Sequence, residues 1–359
     1  MRIVYDFGPR TAPALGPAVL TIGFFDGVHL GHQRLIERAG VLAAERGAAA
    51  VAVTFWPHPS AILRPQAAPP LLTTLAEKLR LLGELGRLDA AVVLPFDEER
   101  SRQSPEAFLD TLATFCRPVA LVEGPDFAMG HKRAGDLAFL RAAGERRGFT
   151  VETYEERVDG ERVSSTRARS LLRAGEAEAA TRLLGRPYSL VGEVVEGDRR
   201  GRLLGFPTAN LRLDARKLLP ANGVYAVRVR LPGEAHATHP AVCNIGVRPT
   251  FGGEARLIVE VHLLDAAMDL YGLELAVEVV ARLRDERRFA GVDELKAQIG
   301  ADAERARALL AGDAVGRSAR GALDAAAAAA AAGARAGDPA QAADPSRGPS
   351  PAEEISRWA

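Results

Sequence analysis

Along the first half of the chain the apolar residues alternate between two periods. Ala18 to Ile22 is a nearly unbroken apolar run that stops at Gly23, the pattern of a buried strand. From about Leu30 the spacing turns helical, with Leu35, Ile36, Ala39 and Leu42 on one face. Further strands are predicted over Ala49–Phe55, Ala90–Leu94, Val119–Val122 and Phe149–Tyr154. Helices are predicted over Leu75–Leu85, Pro105–Phe115 and Asp136–Arg146. Another runs through Leu172, with Ser164 or Ser165 as its N-cap. A proline-rich loop runs from Trp56 to about Pro70. Strands and helices in alternation predict a parallel sheet covered by helices.

Around Leu184-Gly185-Arg186-Pro187 the pattern changes. Short β-type runs follow at Tyr188–Val195, Ala209–Leu213, Val224–Leu231, Ala241–Ile245, Leu257–Leu264 and Leu275–Arg282, separated by Gly, Pro, Asp and Asn. Such runs predict a small antiparallel barrel. A helix over Val292–Leu310, with Leu295, Ile299 and Ala303 at helical spacing, closes it. The expected division is 1–186, 187–311 and a remainder, 312–359. That remainder holds eight consecutive alanines, Ala325–Ala332, and then a Pro- and Gly-rich stretch with little to bury. It is expected to be disordered and dispensable, with Ile355 and Trp358 its only credible anchors.

Composition narrows the function. The 359 residues carry 46 Lys plus Arg against 46 Asp plus Glu, so no global field attracts nucleic acid or a membrane surface. Cys116 and Cys243 are the only cysteines, far apart and outside any metal-ligand cluster, which fits a reduced, cytoplasmic setting. The start, Met1-Arg2-Ile3-Val4-Tyr5-Asp6, lacks a signal-peptide pattern, and the alanine run is too short and too weakly apolar to span a bilayer. A soluble protein is the expectation, with a weak homo-oligomer left open.

The chemistry starts at the first strand-to-helix turn, Gly23-Phe24-Phe25-Asp26-Gly27-Val28-His29-Leu30-Gly31-His32. His29 and His32 fall on one face of the first helical turn. Unpaired N–H groups and the dipole at that end favour phosphate, and two imidazole donors can stabilise charge developing on a phosphate oxygen. Open α/β sheets bind ligands outside the carboxyl ends of their strands. Two more distinctive loops lie at such ends, Trp56-Pro57-His58-Pro59 and Gly124-Pro125-Asp126-Phe127-Ala128-Met129-Gly130. The stretch Val163-Ser164-Ser165-Thr166-Arg167-Ala168-Arg169 opens a second helix with hydroxyls, N–H groups and two arginines, suited to a polyphosphate. No Walker-type GxxxxGK[ST] occurs, so any nucleotide is held another way.

In the second half the strongest feature is Gly201-Arg202-Leu203-Leu204-Gly205-Phe206-Pro207-Thr208-Ala209-Asn210. Glycines let the backbone approach a phosphate. Thr208 and Asn210 sit two apart at the start of a strand, so their neutral oxygens share a side and suit Mg²⁺ that brings nucleotide phosphates with it. On the strand after Arg256, Leu257, Val259, Val261 and Leu263 alternate with Ile258, Glu260 and His262. His262 reads as part of a solvated strand face.

The HxGH at His29–His32 resembles the signature of the nucleotidyltransferase superfamily. Together with Thr54-Phe55-Trp56-Pro57-His58-Pro59, Gly124-Pro125-Asp126-Phe127 and Ser164-Ser165-Thr166-Arg167, in that order, it resembles prokaryotic FAD synthetases. The stretch Gly205–Asn210 resembles the GFPTAN motif of riboflavin kinases. Asn244–Phe251, Asp269-Leu270-Tyr271-Gly272 and Arg282–Glu286 also match that family. The resemblance covers roughly residues 15–311. It implies a Rossmann-like α/β nucleotidyltransferase domain followed by a riboflavin kinase-like barrel with a C-terminal helix. The implied chemistry is phosphorylation of riboflavin to FMN by the second domain and adenylylation of FMN to FAD, with release of pyrophosphate, by the first. ATP and Mg²⁺ are the implied cofactors.

Carried over residue by residue, the resemblance assigns catalysis to Glu260 as general base and to His29 and His32. It assigns nucleotide contacts to Gly23, Phe24, Asp26, Gly31, Ser165, Thr166, Arg169, Gly201, Gly205, Pro207, Thr208 and Asn210. Flavin contacts fall to Pro57, His58, Pro59, Asp126 and Phe127, and metal to Thr208 and Asn210. Two positions depart from the family pattern: Ala128 stands where a basic residue is frequent, and Trp56 where a small or acidic one is common. Trp56 either stacks on a flavin or packs. The rivals are another small-molecule adenylyl- or cytidylyltransferase and a non-catalytic binding protein. The kinase-like second half argues against the first. Retention of both residue sets, and the lack of an aromatic-basic stripe, argue against the second.

Overall fold

A computed structural model describes residues 1–5, 15–197, 201, 205–234, 237–249, 255–266 and 268–312. The expectations for Arg202 to Leu204, for Thr250 and Phe251, and for the tail beyond 312 lie outside the described residues.

In chain order the first half comprises β1 (Arg2–Tyr5), β2 (Pro17–Ile22), α1 (Leu30–Glu45), β3 (Ala49–Trp56), α2 (Pro59–Leu63), α3 (Leu75–Glu84), β4 (Ala90–Pro95), α4 (Glu98–Arg102), α5 (Pro105–Phe115) and β5 (Arg117–Glu123). There follow β6 (Ala128–Met129), β7 (Gly135–Asp136), α6 (Leu137–Arg147), β8 (Thr150–Thr153), β9 (Arg157–Val158), β10 (Glu161–Arg162), α7 (Ser165–Ala174) and α8 (Ala177–Leu184). The main sheet has six parallel strands in the order β1-β4-β3-β2-β5-β8. The central strands β2, β3 and β4 are buried almost throughout, which is why they read as continuous apolar runs. β1, the sheet's first edge, has no counterpart among the sequence expectations. It is four residues long and buries only Val4 closely, too short a run to register.

From β2 the chain steps outward through β3 to β4, and then returns to place β5 on the other side of β2. That reversal makes a crevice above the carboxyl ends of β2 and β5. The buried Glu123 carboxyl at the end of β5 spans it underneath, accepting the Ile22 N–H at 2.8 Å. Burial holds that carboxyl well above the usual carboxylate range, against the opposing pull of the Ile22 N–H.

The second half comprises β11 (Tyr188–Val195), β12 (Ala209–Leu213), β13 (Gly223–Arg230), β14 (His239–Pro249), β15 (Ala255–Leu263), β16 (Glu274–Arg284) and α9 (Val292–Gly312). The six strands close an antiparallel barrel in the order β11-β12-β15-β14-β13-β16. Its interior is filled from alternate positions, among them Leu190, Tyr225, Val227, Cys243, Ile245, Val261 and Val277. Outward-facing Val224, Ala226 and Leu283 are covered instead by Ala303, Ala306 and Leu310 of α9.

The two halves share apolar core. Ala168 and Leu172 of α7 and Ala177, Ala180, Leu183 and Leu184 of α8 belong to the same buried cluster as the barrel interior. Polar contacts add to this. Lys217 donates to the Leu72 carbonyl (2.7 Å) and to both oxygens of Glu77 (2.7 and 2.8 Å), with both side chains almost fully buried. Leu71 N–H donates to Arg216 O, and Leu218 N–H to Leu71 O.

Candidate active sites

The Phe24–Val28 turn joins β2 to α1 and sits in the crevice. Phe25, Gly27 and Val28 all take positive φ, at 48°, 82° and 39°. For a β-branched residue such as Val28 this conformation is disfavoured and persists only where neighbours impose it. Those neighbours are identifiable. The Arg186 guanidinium donates to the carbonyls of Gly27 (2.7 Å) and Val28 (3.0 Å), and Gln33 Nε2 donates to Val28 O (2.8 Å). A Cβ on Gly27 would come within 2.8 Å of the Leu72 side chain.

Asp26 is the hub. Its carboxylate accepts from Leu72 N (3.1 Å), Thr73 N (2.9 Å), Thr73 Oγ1 (3.1 Å) and Arg169, while its own carbonyl accepts from Ser165 Oγ at 2.8 Å. Asp26 and Arg169 are both buried and turned on each other. The structure thus brings these two expected nucleotide contacts together as an ion pair under the loop, where they act on the loop's shape.

His29 caps α1: its Nδ1 accepts the His32 N–H at 3.3 Å, so the neutral ring carries its proton on Nε2. The two imidazoles stack with centroids 3.6 Å apart and planes 15° from parallel. Gly31 lets this happen, since a Cβ there would meet the His29 ring at 3.3 Å. Burial, reinforced by Arg186 and Arg162 and opposed by Asp26, pushes His29 down to about 4. His32 is driven well below its ordinary value, by burial first and then by His29, Lys78 and Arg186. Both rings are therefore neutral at pH 7 in the unliganded protein. His32 Nδ1 is enclosed and has no hydrogen-bond partner among the described residues.

The remaining expected residues of this half gather around the same mouth. Phe24 is exposed and packs by its edge against Phe55 (5.6 Å) and beside His58 (5.1 Å). His58 Nδ1 accepts from Ser60 N and caps α2, whose first residue is the buried Pro59; Pro57 is half-buried. Ser164 is the N-cap of α7, which leaves Ser165 to bind the Asp26 carbonyl and Thr166 exposed. Asp126 is exposed and paired with Arg162, and Phe127 packs on the core. Trp56 is buried in the core, with the Arg216 guanidinium 5.0 Å from its ring. It packs.

Sequence reading missed Lys78, Thr73, Arg162, Arg186 and Lys217. Arg162 alone carried a local signal, lying two residues before the Ser164-Ser165 motif. The others act on the loop from positions distant in sequence.

On the barrel the site is set by strand register. Asn210 on β12 lies opposite Glu260 on β15, and Glu260 lies opposite Asn244 on β14. All three are half-buried and share the face away from the barrel interior, whereas Val259 and Val261 point inward. The predicted alternation thus holds from Ile258 to Leu263. His262 Nδ1 donates to Pro207 O at 2.8 Å, and its ring meets Phe206 edge-on at 5.5 Å. It anchors the loop ahead of Thr208. Loop closeness here depends on small residues: a Cβ on Gly197 would fall 2.2 Å from Asn210 Nδ2, and one on Gly201 would fall 2.3 Å from Phe206 O. Gly205 takes φ +86°.

Comparison with known proteins identifies the two halves of the chain. A family model described as FAD synthetase matches residues 12–167, and one described as riboflavin kinase matches residues 184–310. The chain is 43% identical over 295 residues to the bifunctional riboflavin kinase/FMN adenylyltransferase of Pseudomonas fluorescens, covering 82% of this chain and 93% of that protein. It belongs to that bifunctional family. The Escherichia coli K12 relative is 42% identical over 298 residues, with the same shares covered. A crystal structure described as a macrolide-efflux protein from Streptococcus pneumoniae superposes with a TM-score of 0.74 at 29% identity, covering 86% of this chain and 99% of that one. No described helix of the present chain is long and apolar enough to cross a membrane. The riboflavin kinase activity resides in the C-terminal barrel and FAD synthesis in the N-terminal α/β domain, with ATP as substrate and flavins as substrates and products.

Proposed function

We propose that the division of labour follows the residues identified above, with the domains meeting at Arg186. In the barrel, Glu260 accepts the proton of the ribityl 5′-hydroxyl as that oxygen attacks the γ-phosphorus of ATP, giving FMN and ADP. An alcohol is a weak nucleophile at neutral pH, so a carboxylate base is chemically apt. The observation that carries this reading is the register that sets Asn210, Glu260 and Asn244 side by side on one face. The neutral oxygens of Thr208 and Asn210 fit Mg²⁺ that arrives with nucleotide phosphates. No cluster of three His, Cys, Asp or Glu suited to a metal occurs among the described residues, so the negative charge would come from the nucleotide. When bound, the ion would neutralise the transferring phosphoryl group.

In the α/β domain an FMN phosphate oxygen attacks the α-phosphorus of a second ATP, and pyrophosphate leaves. That nucleophile is already anionic and needs no base. Placement and charge stabilisation come from His29, His32 and the Ser165-Thr166 helix end, with Gly23, Phe24 and Gly31 shaping the nucleotide's bed. Gly201, Gly205 and Pro207 do the same for the kinase nucleotide, while Pro57, His58, Pro59, Asp126 and Phe127 border the flavin. Balanced charge and two buried, unpaired cysteines support a cytoplasmic enzyme with small-molecule partners, without nucleic acid or membrane. A weak homo-oligomer is compatible with this.

Two variants test the assignment with opposite lesions. Glu260→Gln lowers kinase turnover roughly 10²–10⁴-fold, leaves FAD formation from supplied FMN intact and barely moves the melting temperature. His29→Ala with His32→Ala abolishes FAD formation while FMN still accumulates from riboflavin. Chromatography of the products decides. Near-normal kinase turnover in Glu260→Gln removes that residue from the mechanism.

A further inference from the structure

Lys78, on the first turn of α3, is 4% exposed and lies under the histidine loop. Its ammonium donates to Phe24 O (3.0 Å), Thr54 Oγ1 (3.0 Å) and Phe55 O (3.3 Å). An ammonium has three N–H groups, so its hydrogen-bonding capacity is filled, and filled by neutral acceptors. No carboxylate pairs with it among the described residues. Asp26, the acidic group that acts on it, is already engaged by Arg169. The contrast with Lys217 is direct: that buried lysine grips both oxygens of Glu77.

A buried ammonium without a counter-ion is costly, and hydrogen bonds to neutral acceptors offset only part of that cost. Stability therefore does not explain Lys78. Its position suggests what does. Phe24 belongs to the histidine loop, Thr54 and Phe55 close β3 just ahead of Pro57-His58, and the charge acts on both His32 and His58. Two elements of the crevice, the histidine loop and β3, converge on one cation. The ligand expected there, a polyphosphate, is the missing negative charge.

We propose that Lys78 is a positioning residue of adenylyl transfer: it ties the Phe24 turn to the end of β3 and sets a fixed positive charge beneath the histidine pair that favours the polyphosphate and the charge built up at phosphorus. This rests on the assignment of the His29-His32 loop to that reaction. The ammonium disfavours protonation of His32, so the imidazoles meet the nucleotide as neutral donors. Burial pushes Lys78 down to about 8, with Asp26 opposing, so the ammonium is lost at mildly alkaline pH. Of the other groups facing it, His32 and His58 are both lowered from the ordinary imidazole value, chiefly by burial, and Asp26 is paired with Arg169.

The test uses the full chain carrying Lys78→Met or Lys78→Arg, with FAD formation from FMN, the kinase reaction and the melting temperature measured on the same preparations. Lys78→Met is expected to keep kinase turnover and to melt within a few degrees of the parent, since relief of the buried charge offsets the three lost hydrogen bonds, while kcat for FAD formation falls roughly ten- to a hundredfold. The parent's adenylyl transfer should decline as pH rises through about 8. Lys78→Met should lack that limb, and Lys78→Arg should recover part of the rate and move the limb to higher pH. Parental turnover with an unchanged profile in Lys78→Met overturns the proposal, as does an equal loss of both activities with a lower melting temperature. If Lys78→Met does not fold, the parent's profile decides together with Lys78→Arg: no alkaline limb, or one unmoved by arginine, is equally fatal. The double histidine variant separates the failures. If it retains FAD formation, the loop assignment is wrong; if it loses FAD formation and Lys78→Met does not, only the role of Lys78 is.

Discussion

The two sites are built in different ways. The histidine loop is a strained turn held from outside: Asp26, Arg169, Thr73, Gln33 and Arg186 fasten it, and Lys217 of the barrel half fastens the Leu72 carbonyl next to it. The kinase face takes its geometry from backbone pairing, with Asn210, Glu260 and Asn244 on neighbouring strands of a closed barrel. A turn that must leave unpaired N–H groups for a ligand cannot use them to hold its own shape, so side chains do it. A strand face gets its geometry from the ladder and can spend its side chains on chemistry. The α/β site should therefore be the more sensitive to substitutions that never touch substrate.

The sharpest break is Asp26→Ala. It removes the loop's hub and leaves the buried Arg169 guanidinium with the Pro70 carbonyl but no carboxylate, a loss of about 3–5 kcal/mol. Urea unfolding should show it, FAD formation should disappear, and kinase turnover per folded molecule should persist. If FAD formation survived, the turn would not depend on its fastenings.

Acid gives a second handle. His29 has a folded value near 4 against 6.5 when unfolded, so the unfolded chain binds the extra proton between those values. The stability this confers is present above pH 6.5 and is lost as pH falls through 4, by at most about 3 kcal/mol. The slope of stability against pH over that window should flatten in His29→Gln; an unchanged slope would show the ring is not shielded.

Lys217→Met tests the reach of the barrel into the first site. Leaving the Glu77 carboxylate buried beside a methionine should cost about 2–3 kcal/mol and reduce FAD formation more than FMN formation. Adding Glu77→Leu should recover most of the stability. The smallest effect expected is none. The family matches end at residue 310, and deleting 315–359 should leave both activities and the melting temperature unchanged. A drop in either would mean that Ile355 or Trp358 anchors to the body.

The same contrast explains what could be read from the sequence. Strands buried on both faces and a helix opening at Leu30 announce themselves by period, so the sheet and the HxGH placement were legible. Glu260 and Asn210 were legible too, since alternation fixes which face each occupies. The sequence puts Arg169 on the first turns of α7, where a nucleotide contact is expected. Its partner, Asp26, lies 143 residues away, and no local pattern encodes that pairing. Lys78 carries no signal in the sequence, because its burial depends on where α3 packs. Trp56 had two open readings, and packing chose one through a cation from the other half of the chain.

The central claim is that one chain carries two chemically separable sites, and a mixing experiment tests it most directly. With riboflavin, ATP and Mg²⁺, Glu260→Gln alone should make almost no FMN, and His29→Ala with His32→Ala alone should stop at FMN. Mixed, the two proteins should make FAD, the first adenylylating the FMN that the second releases. Failure of the mixture to make FAD, with both proteins folded, or loss of both half-reactions in either variant, would contradict it.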